Sequence, residues 1–191
     1  ETESLKFDKF QKYDDIVYTK PSIDKISDKI RSSNGLINEV IINKNLSKNI
    51  DILLLSPCYN EEKNIDEFID NTKHLVSEVI MLDDGSTDDS WNTIKNNSNI
   101  GVKILKKREN FNDKSNRNIL LNTVQILLKN NVNIKWVLWL DLDERIGNIN
   151  IDYLKKNIIY SNRNVLCIPF YHMWNETDYN ALYGIKNISK H

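Results

Sequence analysis

The stretch that most constrains this chain is Trp136-Val137-Leu138-Trp139-Leu140-Asp141-Leu142-Asp143-Glu144, an apolar run that ends abruptly in acids. Such a run predicts a strand buried on both faces, and carboxylates placed where a strand leaves its sheet are held rigidly at an open edge. That is a place where an enzyme holds a metal ion. With 191 residues, 40% of them hydrophobic, the chain can bury a real core as one domain of ordinary size with room for an appendage. Its 26 basic and 27 acidic residues are mixed along the sequence, so no electrostatic footprint for nucleic acid or an anionic membrane is present. Partners must be sought at a site instead.

Cys58 and Cys167 stand far apart and outside any C-x-x-C spacing, which argues against a disulfide framework and a thiolate zinc site. A reducing, cytoplasmic compartment is the expectation. There is no apolar run of ~18 residues and no basic-then-apolar leader, so neither a membrane span nor a signal peptide is expected in this stretch. The chain opens on Glu1, not Met, which leaves open that it is part of something longer.

In chain order, residues 1–48 read as an irregular arm followed by a helix. Pro21-Ser22 looks like the helix start, Ile23, Ile26 and Ile30 share a face, and Gly35 is available as a stop. Leu36 to Leu46 fits a short helix or a strand equally well. From Asp51 the pattern changes. Asp51-Ile52-Leu53-Leu54-Leu55-Ser56-Pro57 predicts a buried parallel strand stopped by its proline. A helix with Ile65, Phe68, Ile69, Leu75 and Val76 on one face and Asn64 as N-cap comes next. Glu78 to Leu82 repeats the strand form and ends in Asp83-Asp84-Gly85-Ser86-Thr87-Asp88, and Val102 to Leu105 is a third strand. Asp113 is placed to cap a helix with Leu120, Val124, Leu127 and Leu128 facing inward, broken by Asn130-Asn131 before the Trp136 strand. Beyond Asp143, Ile151, Leu154, Ile158 and Ile159 suggest another helix and Asn164 to Tyr171 a further strand. This alternation predicts an open, mostly parallel α/β sheet with helices on both faces.

In such sheets ligands bind outside the carboxyl ends of the strands, and the polar clusters fall there. Taken in order, Leu55-Ser56-Pro57-Cys58-Tyr59-Asn60-Glu61-Glu62, Asp83-Asp84-Gly85-Ser86-Thr87-Asp88, Asn116-Arg117-Asn118 and Asp141-Leu142-Asp143 resemble the ordered signature of family 2 glycosyltransferases with the Rossmann-like GT-A fold. The resemblance covers roughly residues 50–145. It implies a GT-A domain over 49–191 whose acceptor half is expected to continue beyond His191, and sugar transfer from a nucleoside diphosphate sugar, foremost a UDP-sugar, to an acceptor hydroxyl on a glycan, protein or lipid. Inversion at the anomeric carbon is implied by the family alone.

The chemistry agrees with that implication. Breaking a sugar–phosphate bond builds negative charge on the leaving group, which a divalent cation held by carboxylates neutralises. Mg²⁺ and Mn²⁺ favour carboxylates with phosphate oxygens and water, so a D-x-D without histidines or thiolates suits them better than zinc. By resemblance Asp143 binds the metal, and Asp141 reaches toward the ribose or metal-bound water. Tyr59 offers an aromatic face to a nucleobase, and a carboxylate after the second strand can accept the imino hydrogen of uracil; in the family that falls on one of the paired aspartates, here Asp84, with Asp83 structural as its alternative. Pro57 and Asn60 shape the loop, Glu61 and Leu142 complete the stretch assigned to the donor, and Arg117 offsets phosphate charge.

Each residue also has a plainer reading. Asp83-Asp84-Gly85-Ser86 alone is a turn with a helix cap, Arg117 a surface ion pair, and Tyr59, Trp136, Trp139 and Trp174 packing aromatics, with Trp174, in a polar segment, the one placed to meet a sugar. His74 and His172 fall in no motif. An EF-hand from Asp141 fails because Arg145 and Ile146 occupy the positions that need a ligand and a glycine. A haloacid-dehalogenase-type phosphotransferase would make Asp141 a nucleophile, yet Arg145 stands where it wants Ser or Thr. The catalytic base is unassigned: Glu176 and Asp178 are the available acids, closer to the D-x-D than the family pattern leads one to expect. A catalytically incomplete domain that binds nucleotide or a partner is therefore the second hypothesis.

Overall fold

The computed structural model describes residues 23–110, 112–147, 150–161 and 165, with the backbone of 171–173 and 179–181. Two compact units divide the chain, Glu1–Arg145 and Ile146–His191. The first contains α1 (Ile23–Ser32), β1 (Ile37–Ile42), β2 (Asn49–Cys58), α2 (Ile65–Thr72), β3 (Glu78–Asp83), α3 (Ser90–Asn96), β4 (Val102–Lys106), α4 (Asp113–Lys129) and β5 (Asn133–Trp139). The second contains α5 (Ile151–Ile159) and an antiparallel pair, β6 (Tyr171–Met173) and β7 (Tyr179–Ala181). No described helix is long and apolar enough to cross a membrane.

The sheet of the first unit runs β1-β4-β3-β2-β5. β4, β3, β2 and β5 are parallel, and β1 is antiparallel against β4. Side chains alternate between its faces. Leu53, Leu55, Ile80, Leu82, Val102 and Ile104 form one core with Ile26 and Ile30 of α1 and Ile119, Leu120, Val124 and Leu127 of α4. The alternate residues Ile52, Leu54, Val79 and Met81 are equally buried, as are Phe68 and Ile69 of α2 and Ile94 of α3. The expected α/β architecture with helices on both faces is what the chain adopts.

Several local expectations are corrected. Within residues 23–48, α1 packs into the core and β1 completes the sheet; Pro21-Ser22 lie outside the described residues. α1 ends at Ser32, three residues before Gly35. Within Leu36 to Leu46, Ile37–Ile42 form the strand β1. Pro57 does not stop β2, which continues to Cys58. The carbonyls of Ile52 and Cys58 bond toward the β3 side and that of Leu55 toward β5, so alternation turns Pro57 toward β5, beyond the last pair Leu55↔Trp139. Its missing N–H breaks no ladder bond there.

Asn64 stands at the N-cap of α2 without a capping side-chain bond, its amide donating instead to Glu61 Oε2. The cap of α4 is Asn112, whose side chain accepts from Ser115 N–H at 3.0 Å; Asp113 is the first helical residue. Leu128 is exposed and Ile119 takes an inward place. Asn130-Asn131 does end α4, with Asn131 at φ 64°. β5, expected to be buried on both faces, is instead an edge of this sheet with no fully buried residue. β2 is the central strand, with Leu53, Leu54 and Leu55 wholly inaccessible. Of the strand expected over Asn164 to Tyr171, the described residues are Val165, in no strand, and Tyr171, where β6 begins.

Candidate functional site

The strand order creates a crevice. From β2 the chain moves outward through β3 to β4, then returns past β2 to lay down β5. The order therefore reverses between β2 and β5, and ligands of open α/β sheets bind at the carboxyl ends of the strands at such a reversal. The loop after β2 carries Tyr59, Asn60 and Glu61, the loop after β5 carries Asp141, Leu142 and Asp143, and β3 and β4 end alongside.

The loops after β2 and β3 are stitched together. Asn60 sits in the left-handed region at φ 56°. Its N–H donates to Ser86 Oγ at 2.9 Å, and its side-chain oxygen accepts from Thr87 N–H at 2.8 Å. Glu61 N–H donates to Ser90 Oγ at 2.8 Å. Asn60 thus shapes the loop through its backbone and amide. Beneath it Cys58 is buried, and burial together with the nearby Asp83 charge pushes its thiol up to about 12.

The paired aspartates separate in role. Asp83 accepts from Ser86 N–H at 2.7 Å, while its Oδ2 is buried without a hydrogen bond among the described residues. Burial pushes its carboxyl above the usual range against the bonds from Ser86 and Gly85. Asp84 is 1% exposed. Lys106 Nζ lies 2.6 Å from its Oδ1, Asn116 Nδ2 donates to its Oδ2 at 3.0 Å, and Lys106 also donates to Asn116 Oδ1 at 2.7 Å. Both long side chains come from the α4 side of the sheet, so the carboxylate expected to read a base is consumed internally.

Arg108, two residues beyond β4, closes this cluster. Its Nη1 stands 3.6 Å from Asp84 Oδ2, and its guanidinium carbon lies 3.3 Å from the centre of the Tyr59 ring. Gly85 makes the approach possible. It adopts φ +69°, and a Cβ there would meet Arg108 N at 2.8 Å and Lys106 O at 3.0 Å. Gly85→Ala is expected to lower stability by about 1–2 kcal/mol from the left-handed backbone alone, more with the clash, and to raise the Tyr59 side chain's accessibility; chemical denaturation with tyrosine fluorescence measures both. An unchanged midpoint would contradict the packing described.

At the end of β5, Trp139 Nε1–H donates to Asp141 Oδ1 at 3.2 Å, and Asp141 N–H donates to Glu144 Oε2 at 2.8 Å. Arg117 lies 4.5 Å over the Trp139 ring while paired with Asp113 at 2.8 Å, which brings α4 to the D-x-D through the tryptophan. Leu142 is buried, and its carbonyl accepts from Arg145 Nη1 at 2.7 Å, so its side chain anchors the loop. Arg145 also reaches Glu67 of α2 at 3.4 Å. Asp143 is exposed. Burial, together with the charges of Asp141 and Asp143, pushes the Glu144 carboxyl above its usual range against the bond from Asp141 N–H.

This is a hard, all-oxygen donor set whose mutual repulsion a cation would relieve. Among the described residues no three His, Cys, Asp or Glu side chains converge into a cage, so phosphate oxygens and water would complete the shell, as Mg²⁺ and Mn²⁺ prefer. Glu176, Asp178 and Trp174 lie outside the described residues. The sequence alone did not single out Lys106 or Arg108, and it gave Asn116 and Glu144 no role. The rule that drew attention to the other strand ends applies to β4 as well, where Lys106-Lys107-Arg108 was legible.

A doubly wound sheet with an acidic strand end at its switch point defines a GT-A, Rossmann-like domain. The profile of the family "Glycosyl transferase family 2" matches residues 54–184, more than half of the chain, and the chain belongs to that family. Neither a curated protein nor a solved structure matches it.

Proposed function

We propose that this domain transfers a sugar from a nucleoside diphosphate sugar, foremost a UDP-sugar, to an acceptor hydroxyl with the help of a divalent cation and with inversion at the anomeric carbon. Family membership supports glycosyl transfer as such. The observation that carries the finer reading is Asp143, an exposed carboxylate at the reversal of strand order that has no hydrogen bond or ion pair among the described residues. Asp143 and Asp141 would hold the metal. Bound there, Mg²⁺ or Mn²⁺ supplies positive charge against the leaving diphosphate. Trp139 orients the Asp141 carboxylate, Leu142 and Arg145 fix the loop that carries both acids, and Arg117 adds a cation on the α4 side.

A thermal-shift screen of UDP-, GDP- and dTDP-sugars with and without Mn²⁺, followed by donor hydrolysis on the best hit, tests the reading. Expected is a Mn²⁺-dependent rise in melting temperature with UDP-sugar, since a ligand at a hundred times its Kd adds about 2.7 kcal/mol, and slow hydrolysis. Stabilisation without turnover would favour a binding module, and phosphate release from simple phosphomonoesters a phosphotransferase.

A further inference from the structure

We infer that Arg108, laid on Tyr59 and held by Asp84, is the residue that selects the donor's nucleobase, favouring bases that present a carbonyl over adenine. The inference rests on the nucleotide-sugar reading above and replaces Asp84 as the reader. At 1% exposure, and already engaged by Lys106 and Asn116, the Asp84 carboxylate is closed to a base arriving from solvent. The side chains that this part of the crevice presents are Tyr59, 37% exposed, and Arg108, 27% exposed.

Their geometry sets what they recognise. A guanidinium 3.3 Å above the ring centre lies flat on it, so its N–H donors radiate within one layer above Tyr59. A base sharing that layer meets those donors along its edge. Nη1 is buried beside Asp84, so the donors open to a base belong to the exposed part of the guanidinium, and the cluster of Asp84, Lys106 and Arg108 holds two cations for one carboxylate. Arginine has donors and no acceptor. Uracil and guanine offer carbonyl oxygens, whereas the N1 and N7 acceptors of adenine flank an amino group that repels the same donors. Asp84 acts as a positioning residue, fixing the guanidinium from behind.

Calorimetry of the intact chain with UDP, ADP and inorganic pyrophosphate, each with Mn²⁺, tests this in the wild type, Arg108→Ala and Arg108→Lys, with melting curves confirming the fold. Expected is a wild-type preference for UDP over ADP of about tenfold that collapses toward unity in both variants. Arg108→Lys keeps its charge, so its pyrophosphate affinity stays within about twofold of the wild type. A UDP/ADP ratio that survives in Arg108→Lys would overturn the inference and leave the transferase reading standing. Equal losses of UDP and pyrophosphate in Arg108→Ala would also overturn it, by making Arg108 a phosphate ligand. A folded wild type that binds neither nucleotide would overturn the transferase reading along with it.

Discussion

Asp84→Ala is expected to be the most destabilising single substitution at the carboxyl edge, costing about 3–5 kcal/mol because it strands a buried charge. Lys106 is 1% exposed, and its ammonium has Asp84 at 2.6 Å and Asn116 at 2.7 Å. Without the carboxylate it keeps one neutral partner and stays cut off from water. For a chain of this size the loss corresponds to roughly 10 °C or more in melting temperature. The pairing itself gives the sharper check. Where both members of a buried ion pair are replaced by apolar residues of similar volume, stability is often retained, so Asp84→Ala combined with Lys106→Met should recover much of what either single variant loses. Fluorescence-monitored denaturation of the four proteins closes that cycle. A double variant as unstable as the sum of the singles would mean that Asp84 and Lys106 act independently, contrary to the geometry.

The same pair shows where sequence reasoning stops. Asp83-Asp84 after a strand was legible as a strand-end acidic pair, and Asp141-Leu142-Asp143 as another, because a parallel strand's exit is a local pattern of apolar run and polar break. Which acid faces water is not local. Asp84 is buried because Lys106 and Asn116, distant in the chain, converge on it. Strand placement has the same limit. Trp136 to Leu140 reads as more continuously apolar than Asn49 to Cys58, yet β5 lies at the edge and β2 at the centre. Composition reports what a strand tolerates, whereas position in the sheet follows from the direction of each crossover. Pro57 misled for a related reason, since a proline ends a strand only where a neighbour needs its N–H. The helix ends differ by single residues, Asn112 for Asp113, because adjacent residues both able to cap are decided by which side chain reaches the third amide. The resemblance to the family compensates for these gaps by placing the four motifs in order, but it does not report that Asp84 is enclosed by Lys106 and Asn116.

Asp143→Ala is expected to abolish Mn²⁺-dependent binding of a nucleoside diphosphate sugar and leave the fold untouched. The two halves of that expectation have separate physical grounds. Asp143 is exposed and has no hydrogen bond or ion pair among the described residues, so its removal should change stability by no more than about 0.5 kcal/mol. A metal ligand is another matter: even partners outside the coordination sphere typically contribute 10–100-fold to metal affinity, so loss of a direct ligand should cost about a hundredfold or more. The neighbours grade the effect. Asp141→Asn keeps the shape that Trp139 Nε1–H holds but removes a charge, and should weaken binding less than Asp143→Ala. Glu144→Gln keeps a side-chain oxygen able to accept from Asp141 N–H and removes no carboxylate assigned to the metal. That substitution should therefore matter least. Calorimetric titration of UDP-sugar with and without Mn²⁺ ranks the three. Should Asp143→Ala bind the donor as the wild type does, independently of metal, the acidic exit of β5 would be a loop anchor only, and charge on the leaving diphosphate would have to be met from Arg117 instead.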